Sequence, residues 1–186
     1  MSHAYKIHKQ EATYFLTLQV VDWIDVFTRE KYRIIVTDSL NFCVTKKGLN
    51  IFAYVIMSNH VHLIANATHE NLSNVIGAMK QHTSTTILES IQQDRESRKE
   101  WMLPLFRKAA ASHQRNETNQ FWTHENHAEE IFSPHFTFQR INYIHQNPVR
   151  AGITEKPEDY IYSSARDYAG LKSPVQVEVL NLNLMC

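Results

Sequence analysis

The sequence predicts an α+β fold, an antiparallel sheet with helices packed on one face, and three observations predict it. Short runs rich in β-branched and aromatic residues occur in three places. Two intervening stretches repeat apolar residues at three- and four-residue spacing. The patterns follow one another in the order β-α-β-β-α, which alternates too irregularly for a parallel sheet and suits antiparallel strands with helices to one side.

The first strand is Tyr14–Val21, Tyr-Phe-Leu-Thr-Leu-Gln-Val-Val. Thr28 then offers a helix N-cap, with Glu30 in the electropositive first turn. Val36, Leu40, Cys43 and Val44 form the inward stripe of that helix, and Gly48 ends it. Ile51–Met57 and Val61–Ala65 are the next two strands, joined through Ser58-Asn59 as an antiparallel hairpin. A second helix carries Leu72, Val75, Ile76, Met79, Thr83 and Ile87 on one face. From Gln92 to Asn119 the periodicity is lost, and this polar stretch containing Pro104 reads as a frayed helix end followed by a long connection. Ser133-Pro134 starts another helix, a cap followed by proline at the first position. It turns Phe138, Ile141 and Ile144 inward and stops before Pro148. After about Gly152 come short turns anchored by Tyr160, Tyr162 and Tyr168. The arrangement is ferredoxin-like, which requires a fourth strand, and Phe121-Trp122 is the candidate.

The 186 residues suit one domain, with a core from about residue 12 to 170 and a tail from 171 to 186. Formal charge balances at zero, so any surface for a polyanion must come from local segregation of charge. Cys43 and Cys186 supply neither metal spacing nor a disulfide framework. The polar start, Met1 to Gln10, lacks an apolar targeting region, and the longest apolar run, Ile51–Met57, is too short to span a bilayer. A cytoplasmic protein with no membrane partner is expected.

The sharpest chemical signal is Tyr54-Val-Ile-Met-Ser-Asn-His-Val-His-Leu-Ile64. On a strand, alternate side chains share a face, so His60 and His62 project together, roughly 6–7 Å apart along the chain. Two imidazoles so placed hold a divalent ion when another ligand joins them, or are simply two half-exposed strand histidines. Eleven histidines in the chain weaken the weight of any one.

That run resembles the core motif of the IS200-like transposases, especially their REP-associated branch. So do Asn142-Tyr-Ile-His-Gln-Asn-Pro-Val-Arg-Ala-Gly152 and Tyr162-Ser-Ser-Ala-Arg-Asp-Tyr168, in matching order and spacing, over roughly Ala12 to Gly170. The resemblance implies a ferredoxin-like fold and cleavage of single-stranded DNA beside a hairpin. It also implies Mg²⁺ or Mn²⁺ at His60 and His62, and a helix-borne tyrosine that attacks the scissile phosphate and keeps a 5′-phosphotyrosine link. Here the sequence departs from the family. The matching stretch, Phe121-Trp-Thr-His-Glu-Asn-His-Ala-Glu-Glu-Ile131, has no tyrosine, and Asn126 or His127 takes the nucleophile's position depending on alignment. Glu130, four residues on along the expected helix, is offered as a third metal ligand, with a solvated glutamate as the alternative; His124 and His127 are further options.

For nucleic acid, Lys80 stands where the resembling proteins also carry a lysine. Arg107, Lys108 and Arg115 make an acid-free basic stretch that is either a phosphate track or an ordinary solvated loop. Arg150 either meets a phosphate or caps its helix. The functions to separate are a metal-dependent single-strand endonuclease and strand transferase, a non-catalytic DNA-binding derivative, and a nuclease using water with His127 or Glu130 as base. A homodimer and a single subunit both stay open.

Overall fold

A computed structural model describes residues 6–68, 71–112 and 118–181. The chain runs β1 (Tyr14–Gln19), α1 (Glu30–Lys47), β2 (Leu49–Ile56), β3 (His60–Ala67), α2 (Leu72–Gln93), α3 (Lys99–Ala111), β4 (Glu129–Glu130), α4 (Pro134–Arg150) and α5 (Ala165–Tyr168). The sheet is antiparallel with strand order β2-β3-β1-β4, the ferredoxin-like arrangement that the sequence predicts.

Register decides which side chains meet. Thr17 lies opposite His62, Phe15 opposite Ile64 and Gln19 opposite His60, so these six share one face. Leu16, Leu18, Val61 and Leu63 point the other way and are fully buried. On that side α1 and α2 pack against the sheet and each other, their stripes of Val36, Leu40, Cys43 and Val75, Ile76, Met79, Ile87 buried as expected. The two long helices thus share a face, and α4 is added on the other, directly above the histidines. Gly48 ends α1 at φ +68, where a β-carbon would collide with the Thr68 hydroxyl.

Several local expectations are corrected. Thr28 does not cap α1; its hydroxyl donates to the Asp25 carbonyl inside a 3-10 turn, and Arg29 stands at the cap without a side-chain bond. The stretch read as a long connection contains α3, which buries Met102, Phe106 and Ala110 at four-residue spacing despite Pro104. Its start is pinned by Glu96, buried between Arg98 and the Tyr32 hydroxyl, where the Arg98 guanidinium holds the carboxyl down to about 2. Helix α4 does begin on the Ser133 cap but runs through Pro148 to Arg150, since a proline in the final turn forfeits only one bond. Phe138 is half-buried; Thr137 and His145 join Ile141 and Ile144 inside.

The fourth strand is Glu129–Glu130, paired with Phe15 and Tyr14, while Trp122 makes a single bridge to Val20. Between them the chain stays extended along β1, with Thr123 N–H donating to Gln19 O and Thr17 N–H to Asn126 O. His127 interrupts it at φ +36. The helix expected over this stretch does not form. β1 would otherwise leave that row of backbone groups unpaired, and buried Phe121 and Trp122 anchor the segment at the sheet.

At the opposite edge the C-terminal turns close on β2. Ser164 bonds both the N–H and the carbonyl of Tyr54, the Tyr160 and Tyr168 hydroxyls donate to Ile56 O and Phe52 O, and Glu178 N–H donates to Ile51 O. The anchors expected in the tail are therefore edge caps. Arg115 and Cys186 lie outside the described residues. No described helix is long and apolar enough to cross a membrane.

Candidate functional site

His60 and His62 come together as alternation requires, with ring centroids 4.7 Å apart. Each ring is held by its Nδ1. His60 donates from Nδ1 to the Asn59 amide oxygen at 2.7 Å, which leaves its Nε2 with a free lone pair. The His62 Nδ1 lies 2.9 Å from the Thr17 hydroxyl, its cross-strand partner. Neither Nε2 has a hydrogen bond among the described residues. Burial lowers the pKa of His60 and takes that of His62 to about 3, helped by His60, Arg150 and Arg140 nearby. Both imidazoles are therefore neutral near pH 7, the form that ligates metal, and their orienting bonds are those that ligating histidines use.

This pair fits a divalent cation that takes its remaining ligands from water or phosphate. Among the described residues no third histidine, cysteine or carboxylate joins it. Glu130 in particular does not. It sits on an edge strand rather than a helix, opposite Tyr14 and so on the other face, with its carboxylate 2.9 Å from Lys9. Glu129, opposite Phe15, is the one on the histidine face, and it is paired with Arg140.

Asn126 is locked. Its side-chain oxygen accepts from the Lys80 ammonium at 2.6 Å and its carbonyl from Thr17 N–H at 2.9 Å. Lys80 also donates to Thr123 O at 2.8 Å, and burial pushes its pKa down to about 8. The lysine assigned to DNA is thus engaged in holding the 123–126 segment. Arg107 and Lys108 are exposed on α3, beside the Val21–Trp23 turn. Arg150 caps its helix, donating to Tyr143 O at 2.9 Å, and its exposed guanidinium lies 4.4 Å above the Tyr143 ring.

In the sequence Tyr143 reads as a residue that packs against the sheet, and it does so beside the histidines. Its ring stands edge-on to His62, with centroids 5.4 Å apart, and is partly exposed. The hydroxyls of Tyr14, Tyr32, Tyr160, Tyr162 and Tyr168 are all hydrogen-bonded elsewhere, and Tyr54 is wholly buried. Tyr143 alone among the described tyrosines reaches the histidine pair with an uncommitted hydroxyl. A helix dropping back onto a sheet places residues at three- and four-residue spacing against it, which is how α4 brings Tyr143 there. His145, in the same motif, is structural: its Nε2 lies 2.9 Å from the Ser164 hydroxyl and burial takes its pKa to about 4.

The fold resembles that of a solved REP-associated tyrosine transposase bound to a REP hairpin, with TM-score 0.62 and 17% identity over 97% of this chain and 94% of that one. No curated protein matches the chain. The family model described as transposase IS200-like matches residues 11–109, a span that includes β1, the histidine strand, Lys80 and most of α3. On that match the chain belongs to the IS200-like transposases.

Proposed function

We propose that this chain binds single-stranded and hairpin DNA on the histidine face of its sheet and, with Mg²⁺ or Mn²⁺ at His60 and His62, cleaves and transfers a DNA strand. The observation that carries the reading is the pair itself: two neutral imidazoles, each fixed through Nδ1, with both Nε2 atoms open on one face. A divalent cation held there supplies polarisation of a phosphoryl oxygen. The hairpin held by the similar solved structure supports the same class of DNA as partner. Arg150 and Arg140 bring positive charge to that face, and Thr17 and Asn59 keep the imidazoles aimed. The attacking oxygen on this reading is the Tyr143 hydroxyl, presented from α4 beside His62.

Asn126 favours a second reading, a DNA-binding protein that does not cut. Asn126, one of the two residues at the family's nucleophile position, is an amide held by Lys80 and has no nucleophilic chemistry to offer; the other, His127, is no phenol either. The test is a denaturing gel of the protein with labelled hairpin-flanked single-stranded DNA and Mn²⁺, beside His60→Ala. A covalent adduct that disappears in His60→Ala and maps to the peptide bearing Tyr143 is the expected result. Cleavage without an adduct assigns the attack to water. DNA bound but left whole establishes the second reading.

A further inference from the structure

Aromatic groups on the histidine face form a continuous row that extends well beyond the pair. At one end Phe132 is 79% exposed, and its ring stacks on Phe136 with centroids 5.3 Å apart and planes within 16°. One helical turn on, the Arg140 guanidinium lies 4.8 Å from the Phe136 ring centre and 5.0 Å from that of Phe15. Phe15 in turn stacks on His62 at 5.3 Å. Past the pair, the His60 ring meets the edge of Trp23 at 5.9 Å, and Trp23 is 56% exposed.

Core packing explains neither end of the row, because both terminal rings face solvent. Trp23 also sits in unfavourable backbone: Asp22 and Trp23 have φ of +51 and +55, a region that side chains of this size seldom enter. The Asn59 amide holds the turn there, donating to Trp23 O and the Asp25 carboxylate while its oxygen receives the His60 Nδ1–H. The residue that aims His60 thus also fixes an exposed indole beside it. Strain kept at a site and exposed rings kept in line both point to a ligand with flat faces.

Resting on the DNA reading above, we infer that Trp23 on one side and Phe132–Phe136 on the other are stacking platforms for unpaired nucleobases flanking the strand position at His60 and His62. Every base has a π-face, so such a track is tolerant of sequence, and Arg140 adds a planar cation between the rings. Its pairing with Glu129 keeps that guanidinium over the rings. Paired bases keep their faces stacked on one another, so the track accepts single strands and rejects duplex.

The experiment is fluorescence anisotropy with the full chain in EDTA, on a fully paired hairpin and on the same hairpin with unpaired tails at both ends. The native chain is expected to bind the tailed hairpin more tightly. Phe132→Ala and Trp23→Ala are each expected to weaken the tailed complex about tenfold and leave the tail-less one unchanged. Phe132 is exposed, so its removal leaves the fold intact, and a circular-dichroism melt checks this for Trp23→Ala. Equal losses on both DNAs, or no loss, overturn the track. So does a change of oligomeric state in Phe132→Ala with tailed-hairpin affinity unaltered, which assigns the ring to a subunit contact. A native chain that prefers neither hairpin overturns the track alone, whereas one that binds neither overturns the DNA reading with it.

Discussion

His60 and His62 stand on β3, paired along both sides by regular antiparallel neighbours, whereas the 121–131 segment follows β1 through isolated hydrogen bonds interrupted at His127. In the first region the backbone alone fixes where each side chain points, and Thr17 is delivered to His62 by register. In the second, position depends on side chains, above all the Lys80 ammonium gripping Asn126 and Thr123. Placing two imidazoles side by side needs only a strand's alternation. Presenting a phenol from the 121–131 stretch would need a helix and a tyrosine there, and the edge that forms instead has neither.

Four experiments break or sharpen this contrast. The largest effect is expected for Thr17→Val, which removes the hydroxyl from His62 Nδ1 with little change of shape. Mn²⁺ affinity, followed by electron paramagnetic resonance, should fall roughly 10–100-fold with the fold intact. Next comes acid. Unfolded, His145 takes up a proton below its ordinary 6.5, but folded and buried it does so only near 4. Its contribution is therefore complete above pH 6.5 and declines as pH falls towards 4, reaching a loss of about 2 kcal/mol at pH 5. Urea midpoints at pH 7.5 and 5 measure this, and His145→Gln should flatten the difference by that amount. Lys80→Met strips the 123–126 segment of its clamp and should cost about 1–2 kcal/mol, a few degrees in Tm for a chain of this size. It should leave Mn²⁺ affinity alone, since the histidines do not depend on that segment's side chains. The smallest effect belongs to Glu130→Gln. With Glu130 on the far face beside Lys9, the Mn²⁺ titration should not move; a weaker complex would return Glu130 to the metal.

How much of this was readable beforehand follows the same division. Strict alternation in His60-Val-His62-Leu placed the pair, and the Ser133-Pro134 step placed the start of α4, because each rests on geometry spanning a few residues. α3 was missed because Pro104 and the polar residues around it outweighed a stripe of only Met102, Phe106 and Ala110. Glu130 was misplaced because its argument assumed a helix, and the decision between helix and edge strand over 121–131 lies in β1's unpaired backbone, far away in sequence. Packing of Tyr143 on the sheet was readable but not its neighbour: His62 is 81 residues earlier, and only the packing of α4 across the sheet joins them.

The C-terminal turns that bond Ile51, Phe52, Tyr54 and Ile56 have a consequence for assembly. An open strand edge is a template on which any extended chain can add itself, and β2 would otherwise be the longest such template in this sheet. With its carbonyls and amides already occupied by the molecule's own tail, two copies cannot join by continuing the sheet through β2. A dimer that leaves these turns in place has to meet somewhere other than the β2 edge. Loss of the segment after about Gly152 would uncover the β2 edge and leave a strand on which other extended chains can add.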